Sequence, residues 1–184
     1  GFIADIWPTT LPPNAVLIIA DDMRKDGLPW MSKMLSAIAQ NGVNFTNAFS
    51  THPICGPARA SILSGMSSRQ SGVSGNGNGN LLNGSDVIGY WMQEGGYRTG
   101  LFGKYLHQAS APATPPEGWD EWQELLTYAY TGFELNVNGN VVSFPKPNYS
   151  TDVLANSLNQ FIKKNRRVPF FAVYAPYAGH APYT

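Results

Sequence analysis

Residues 15–20, Ala-Val-Leu-Ile-Ile-Ala, form an uninterrupted apolar run that stops abruptly at Asp21 and Asp22. A short apolar run bounded by polar residues fits a buried strand, so the pattern predicts a central strand ending in acid. Apolar residues Trp30, Met31, Met34, Leu35, Ile38 and Ala39 then recur at helical spacing, with Gly42 where a C-terminal cap belongs. They predict a helix over 30–41 packed on that strand. Residues 43–49 alternate as a short strand does. From Cys55 the chain reads as a helix with Pro57 in its first turn and Gly65 at its end. Residues 67–84, rich in Ser, Gly and Asn, read as a surface loop.

Asp86 is placed to cap a helix over 87–94 that stops at Gly95 and Gly96, and residues 98–105 follow as a strand ending in Gly103-Lys104. After a proline-rich connection, residues 131–144 predict a hairpin turning at Asn138-Gly139. Residues 151–165 are amphipathic, with Val153, Leu154, Leu158, Phe161 and Ile162 on one side and basic residues late, and predict a helix. The apolar stretch 169–175 is a further strand, and it delivers Gly179-His180-Ala181-Pro182. Strands alternating with helices make an α/β domain with a largely parallel sheet, where sites gather at the C-terminal ends of strands. Residues 1–13 are a polar, proline-punctuated lead-in, and residues 14–184 a single catalytic-domain portion. Because Thr184 follows the last strand so closely, the C-terminal part of that domain is expected to be absent.

Composition narrows the function classes. Twelve basic and twelve acidic side chains give a formal net charge of zero, so no global field favours nucleic acid or an anionic membrane, and a polyanion has to be gripped locally. No apolar run reaches the eighteen or so residues of a membrane span. The 184-residue chain has one cysteine, which excludes an internal disulfide. Cys55 is therefore either a packed small hydrophobe or a reactive group.

Asp21 and Asp22 repel each other at a strand end unless a cation joins them, as hard metals such as calcium do. A solvated turn is the competing reading. Gly75-Asn76-Gly77-Asn78-Gly79-Asn80 lacks dinucleotide-loop spacing and a preceding strand, so it reads as a flexible loop. The sequons at Asn44, Asn83 and Asn148 are frequent enough in such a composition to decide nothing about compartment.

Cys55, Pro57 and Arg59 match C-x-P-x-R, and the match continues through Ala60-Ser61-Ile62-Leu63 to Gly65, with Ser64 where threonine is more common. A second stretch, residues 95–107, centres on Gly103-Lys104-Tyr105, and a third is Gly-His180-Ala-Pro. Together with Asp21-Asp22 these occur in the order found in the sulfatase family, and the chain resembles its N-acetylglucosamine-6-sulfatase, heparan-sulfatase and arylsulfatase branch. Phe102 departs from the small or aliphatic residue usual there, and His107 stands where that branch often has Asn.

The resemblance implies an alkaline-phosphatase-like fold and a sulfuric ester hydrolase. Cys55 would be oxidised to formylglycine by the formylglycine-generating enzyme. Asp21, Asp22 and the modified Cys55 would hold Ca2+, with Mg2+ as the alternative. Arg59 would position the formylglycine, Lys104 and His180 would contact the sulfate, and His107 is a further candidate; His52 has no assigned role. The substrate would be a sulfated small molecule or glycan, and the compartment secreted, periplasmic or lysosomal. Rival readings are a phosphate or phosphonate monoester hydrolase on the same fold and a non-catalytic fragment needing a C-terminal chain. A Cys-His thiol hydrolase leaves Arg59 and both aspartates unexplained.

Overall fold

A computed structural model describes residues 11–106 and 114–182 of the chain. Six strands form one sheet: β1 (Ala15–Ile18), β2 (Arg98–Gly103), β3 (Glu121–Leu125), β4 (Thr131–Val137), β5 (Asn140–Tyr149) and β6 (Phe170–Ala175), in the order β1-β6-β2-β3-β4-β5. The pairs β1–β6, β6–β2 and β2–β3 are parallel, whereas β3–β4 and β4–β5 are antiparallel. Five helices accompany them: α1 (Ser32–Met34), α2 (Cys55–Ser64), α3 (Ser68–Ser71), α4 (Ile88–Glu94) and α5 (Ser150–Asn165).

Strands covered on both faces read as continuous apolar runs, and β2 and β6 are such strands. Leu101, Phe171 and Val173 point into one core with Leu63, Val87, Trp119 and Trp122, on the side of α2 and α4. Phe102, Phe170 and Ala172 point into the other, with Phe133, Leu154, Leu158 and Phe161, on the side of α5. The result is a sheet between two helical layers. Asn138 and Gly139 both have positive φ, +50° and +92°, which is the backbone a two-residue hairpin turn demands. The hairpin between β4 and β5 therefore turns at the predicted place.

Several expected elements differ. Among the described residues β1 is an edge strand rather than a central one: it pairs only with β6, and Val16 and Ile18 are exposed. Its apolar pattern is that of a strand with two covered faces, and the described residues cover little of them. The helix expected over 30–41 is broken. A 3₁₀ turn Lys25–Trp30 containing Pro29 is followed by α1 and a wider π turn Leu35–Ala39, with no residue buried. Helical spacing selects a packed helix only where a surface receives it, and none among the described residues does.

Residues 43–49 form no strand, having no ladder partner among the described residues. Within the expected loop 67–84, α3 forms with a Ser67–Gln70 capping box, and Val73 and Leu82 enter the core. Asp86 ends a short 3₁₀ turn, and Val87 takes the N-cap of α4. β3 was unforeseen, because its sequence Glu-Trp-Gln-Glu-Leu mixes charges with Trp122 and Leu125.

Candidate active site

The parallel strands β1, β6 and β2 share one direction, so their C-terminal ends gather at one edge of the sheet. β1 runs into Asp21 and Asp22, β2 into Lys104, and β6 through a turn into His180. The Gly103 backbone explains how Lys104 is delivered. Its φ is +124°, and a Cβ there would land on the Ala175 carbonyl oxygen, so only glycine lets β2 pass so close to β6. Lys104 N–H then donates to Ala175 O at 2.8 Å.

Cys55 is the first residue of α2, whose N-cap is Ile54 and whose C-cap is Gly65 at φ +70°. Pro57 falls in the first turn, where its missing N–H costs no helical bond. Arg59 is four residues on and so lies one turn beneath Cys55 on the same face. That spacing is the physical content of the C-x-P-x-R pattern. Asn76 Oδ1 accepts from Gly56 N–H at 2.8 Å, satisfying one of the unpaired amides of the helix start. The Gly/Asn segment is thus a support for the helix start.

Asp21 is buried and accepts from two buried cations: Arg59 Nη2 donates to Oδ1 at 3.1 Å and Lys104 Nζ to Oδ2 at 2.7 Å. Burial opposes ionisation of Asp21, but the Arg59 guanidinium and the Lys104 ammonium outweigh it and hold the carboxyl below the usual carboxylate range. Arg59 Nη1 also donates to Lys104 O at 2.6 Å. Asp22, at φ +51°, turns outward, and its Oδ2 lies 3.3 Å from His180 Nε2. Cys55 Sγ is 3.8 Å from Asp21 Oδ1 and 4.0 Å from Asp22 Oδ1.

His180 is held from behind. Tyr177 Oη lies 3.0 Å from Nδ1 and donates to Ala181 O at 2.8 Å, Tyr130 Oη donates to His180 O at 2.6 Å, and Nδ1 also contacts Ala181 O. Nδ1 is thus engaged by Tyr177 and Ala181, which leaves Nε2 facing Asp22 and the cleft. Tyr177 stacks on His180 with ring centroids 4.8 Å apart. Tyr177 also stacks on Tyr128, whose ring lies 4.8 Å from Lys104 Nζ. Burial pushes the Tyr128 and Tyr177 hydroxyls up, so both stay protonated donors.

Five of the sequence candidates beside Cys55 thus meet around it: Asp21, Asp22, Arg59, Lys104 and His180. His107 lies outside the described residues. Sequence reasoning missed Asn76, Tyr128 and Tyr177, and it left out His52, which lines the cleft beside Cys55, Asp21 and Asp22. No local pattern marks any of these four.

Donor atoms of Asp21, Cys55 and His180 lie within 4.8 Å of one another, with Asp22 alongside. Two carboxylates converging on one point suit a hard divalent cation, which takes six to eight oxygens at about 2.3–2.6 Å. The donor set therefore fits part of such a shell.

A model of the sulfatase family matches residues 13–184. A putative extracellular sulfatase Sulf-1 homolog of Caenorhabditis elegans is 30% identical over 185 residues, covering 92% of this chain and 26% of that protein. The N-acetylglucosamine-6-sulfatase of Homo sapiens is 33% identical over 201 residues, covering 95% and 36%. The solved structure of BT4656 with its substrate D-glucosamine-2-N,6-O-disulfate superposes with a TM-score of 0.80 at 24% identity, over 94% of this chain and 35% of that one. The chain thus spans roughly a quarter to a third of the length of these proteins.

Proposed function

We propose that this chain, which belongs to the sulfatase family, carries the nucleophile and part of the cation site of an enzyme that hydrolyses sulfate esters of a sugar. The observation that carries the reading is the convergence of Asp21, Asp22, Arg59, Lys104 and His180 on the single cysteine, which is the first residue of a helix. The sugar is inferred from the names of the relatives, several of which are N-acetylglucosamine-6-sulfatases.

Cys55 as a thiol is a poor catalyst here, because a sulfated cysteine has no second group to expel the sulfate. Oxidised to formylglycine and hydrated, it offers two hydroxyls on one carbon. One attacks sulfur as the alcohol leaves with a proton; loss of the proton from the other reforms the aldehyde and expels sulfate. Arg59, fixed by Asp21 and the Lys104 carbonyl, orients this residue. Lys104 and His180 neutralise sulfate oxygens, and a histidine supplies the proton to the departing alcohol. Asp21, Asp22 and the modified Cys55 would hold a divalent cation, calcium in preference to magnesium. When bound it would grip the sulfate and acidify the attacking hydroxyl.

The test is the intact mass of the Cys55 peptide after co-expression with a formylglycine-generating enzyme. It should be about eighteen mass units lighter, thiol sulfur having given way to aldehyde oxygen. Arg59→Ala should lose the conversion. Quantitative alkylation of Cys55 as a free thiol in a preparation that turns over a sulfate ester would sink the nucleophile assignment. Faster turnover of the phosphate ester than of the sulfate ester of the same alcohol would move the reading to a phosphomonoesterase.

A further inference from the structure

The chain is electrically neutral overall, yet four of its twelve basic residues fall within five positions: Lys163, Lys164, Arg166 and Arg167. Lys163 and Lys164 close the last turn of α5, and Arg166 keeps helical backbone angles, φ −57° and ψ −13°. At about 100° per residue the four side chains fan over roughly 160° of one helical face. The intervening Asn165 points the other way: it is buried, and its amide donates to Phe161 O at 2.9 Å. The four cations are all exposed.

The helix dipole accounts for cations within the last turn, but Arg166 and Arg167 lie beyond it. Internal pairing does not account for the group either. Lys164 alone has an acidic neighbour, Glu121 Oε2 at 3.9 Å, and among the described residues Lys163, Arg166 and Arg167 make no ion pair. The nearby Arg98, whose N–H donates to Pro169 O, is balanced by Asp120 at 3.1 Å. A net positive patch therefore remains, its excess carried by unpaired side chains.

The patch stands at the opposite end of the sheet from the cleft. It leads into the start of β6, whose far end delivers His180, and six strand residues span roughly 20 Å. A single sulfated sugar cannot touch both. A polymer with anions at regular intervals can. Residues 163–168 include no aromatic side chain, so the patch lacks the stacking platforms that single-stranded nucleic acid uses.

We propose that Lys163, Lys164, Arg166 and Arg167 form a binding site for a polysulfated glycan, separate from the cleft, that holds the polymer on the protein. The choice of a sulfated glycan over other polyanions rests on the sulfate-ester reading of the cleft.

The probe is a fluorescently labelled heparin dodecasaccharide titrated, at several salt concentrations, with the chain extended to the length of its relatives. Four neutralised charges predict a loss of about a hundredfold in affinity between 50 and 200 mM salt, by analogy with counterion release on DNA. The variant with all four residues changed to alanine keeps its helix, since alanine is a good helix former, and should bind at least about tenfold more weakly at low salt. Changing four other exposed cations, Lys25, Lys33, Arg69 and Lys146, to alanine should leave binding unchanged. Equal binding by the patch variant and the parent would overturn the site. Equal or tighter binding of a single-stranded DNA of matched charge would overturn the glycan assignment. If Cys55 stays a thiol while the patch variant loses heparin, the enzyme reading fails and the patch stands. If a small sulfate ester is turned over and heparin ignores the four substitutions, only the patch fails.

Discussion

Asp21 keeps both carboxylate oxygens on buried cations, whereas Asp22, one residue later, has a side chain 57% exposed. Their substitutions should therefore part company even though both are assigned to one cation. Asp21→Ala strands Arg59 and Lys104 in a dry environment and should cost about 3–5 kcal/mol in urea unfolding with EDTA present. Asp22→Ala should cost under about 1 kcal/mol. Equal costs would show that the buried network does not hold the site together. Glu124 offers a second contrast. It is 2% exposed, and burial raises its pKa from 4.5 to about 8. A carboxyl raised in the fold is stabilising in its protonated form, so its contribution is complete below about pH 4.5 and is lost as pH climbs to 8. Glu124→Gln removes that loss. The variant should gain on the parent between pH 5 and 9, by on the order of a few kcal/mol at the alkaline end. Parallel melting curves across that range would show that Glu124 is not a buried neutral acid.

At the scale of elements, patterning succeeded where an element packs against another described one. α5 has Leu154, Leu158 and Phe161 inside and its basic residues outside, as the spacing of residues 151–165 implies. β2 and β6 needed only their apolar runs, and the β4–β5 turn only Asn138-Gly139. The failures share a cause: a period states which face wants burial, never what will cover it. Residues 30–41 carry a helical stripe with nothing received on it, and β1 carries a central-strand pattern at an edge. β3 went unseen because Glu124, a charged residue by type, is buried beside Trp122. In the cleft, the residues with short-range signatures were legible: Cys55 with Arg59 one turn below, and Lys104 behind the obligatory Gly103. Asn76 and Tyr128 act across 20 and 24 residues from their partners, and a contact made through the fold leaves little mark on local sequence; Tyr177, only three residues from His180, belongs to no motif.

At the scale of the whole molecule, many of the exposed apolar side chains fall in the stretch of chain from β1 to residue 49. Val16 and Ile18 on that strand, Trp30 at 88% exposure, and Ile38, Val43, Phe45 and Phe49 at 89% all face solvent. Monomeric proteins rarely leave contiguous apolar patches larger than a few hundred Å² uncovered, and an open strand edge invites pairing with another chain. The proposed cation site points the same way, since Asp21 and Asp22 would supply a minority of the six to eight oxygens a calcium ion takes. The matched relatives are roughly three to four times this length. From these facts we expect the 184 residues alone to bind a hydrophobic dye such as ANS, to self-associate, and to show no sulfatase turnover even with formylglycine at position 55. Sedimentation and a sulfate-ester assay on the isolated chain test this together. Dye binding and association should disappear, and turnover appear, when the chain is extended to the length of its relatives. A monomeric, cooperatively folding 184-residue chain that hydrolyses a sulfate ester would mean that the apolar stripe of residues 30–49 and the free edge of β1 are stable in water, and that two carboxylates suffice for the cation.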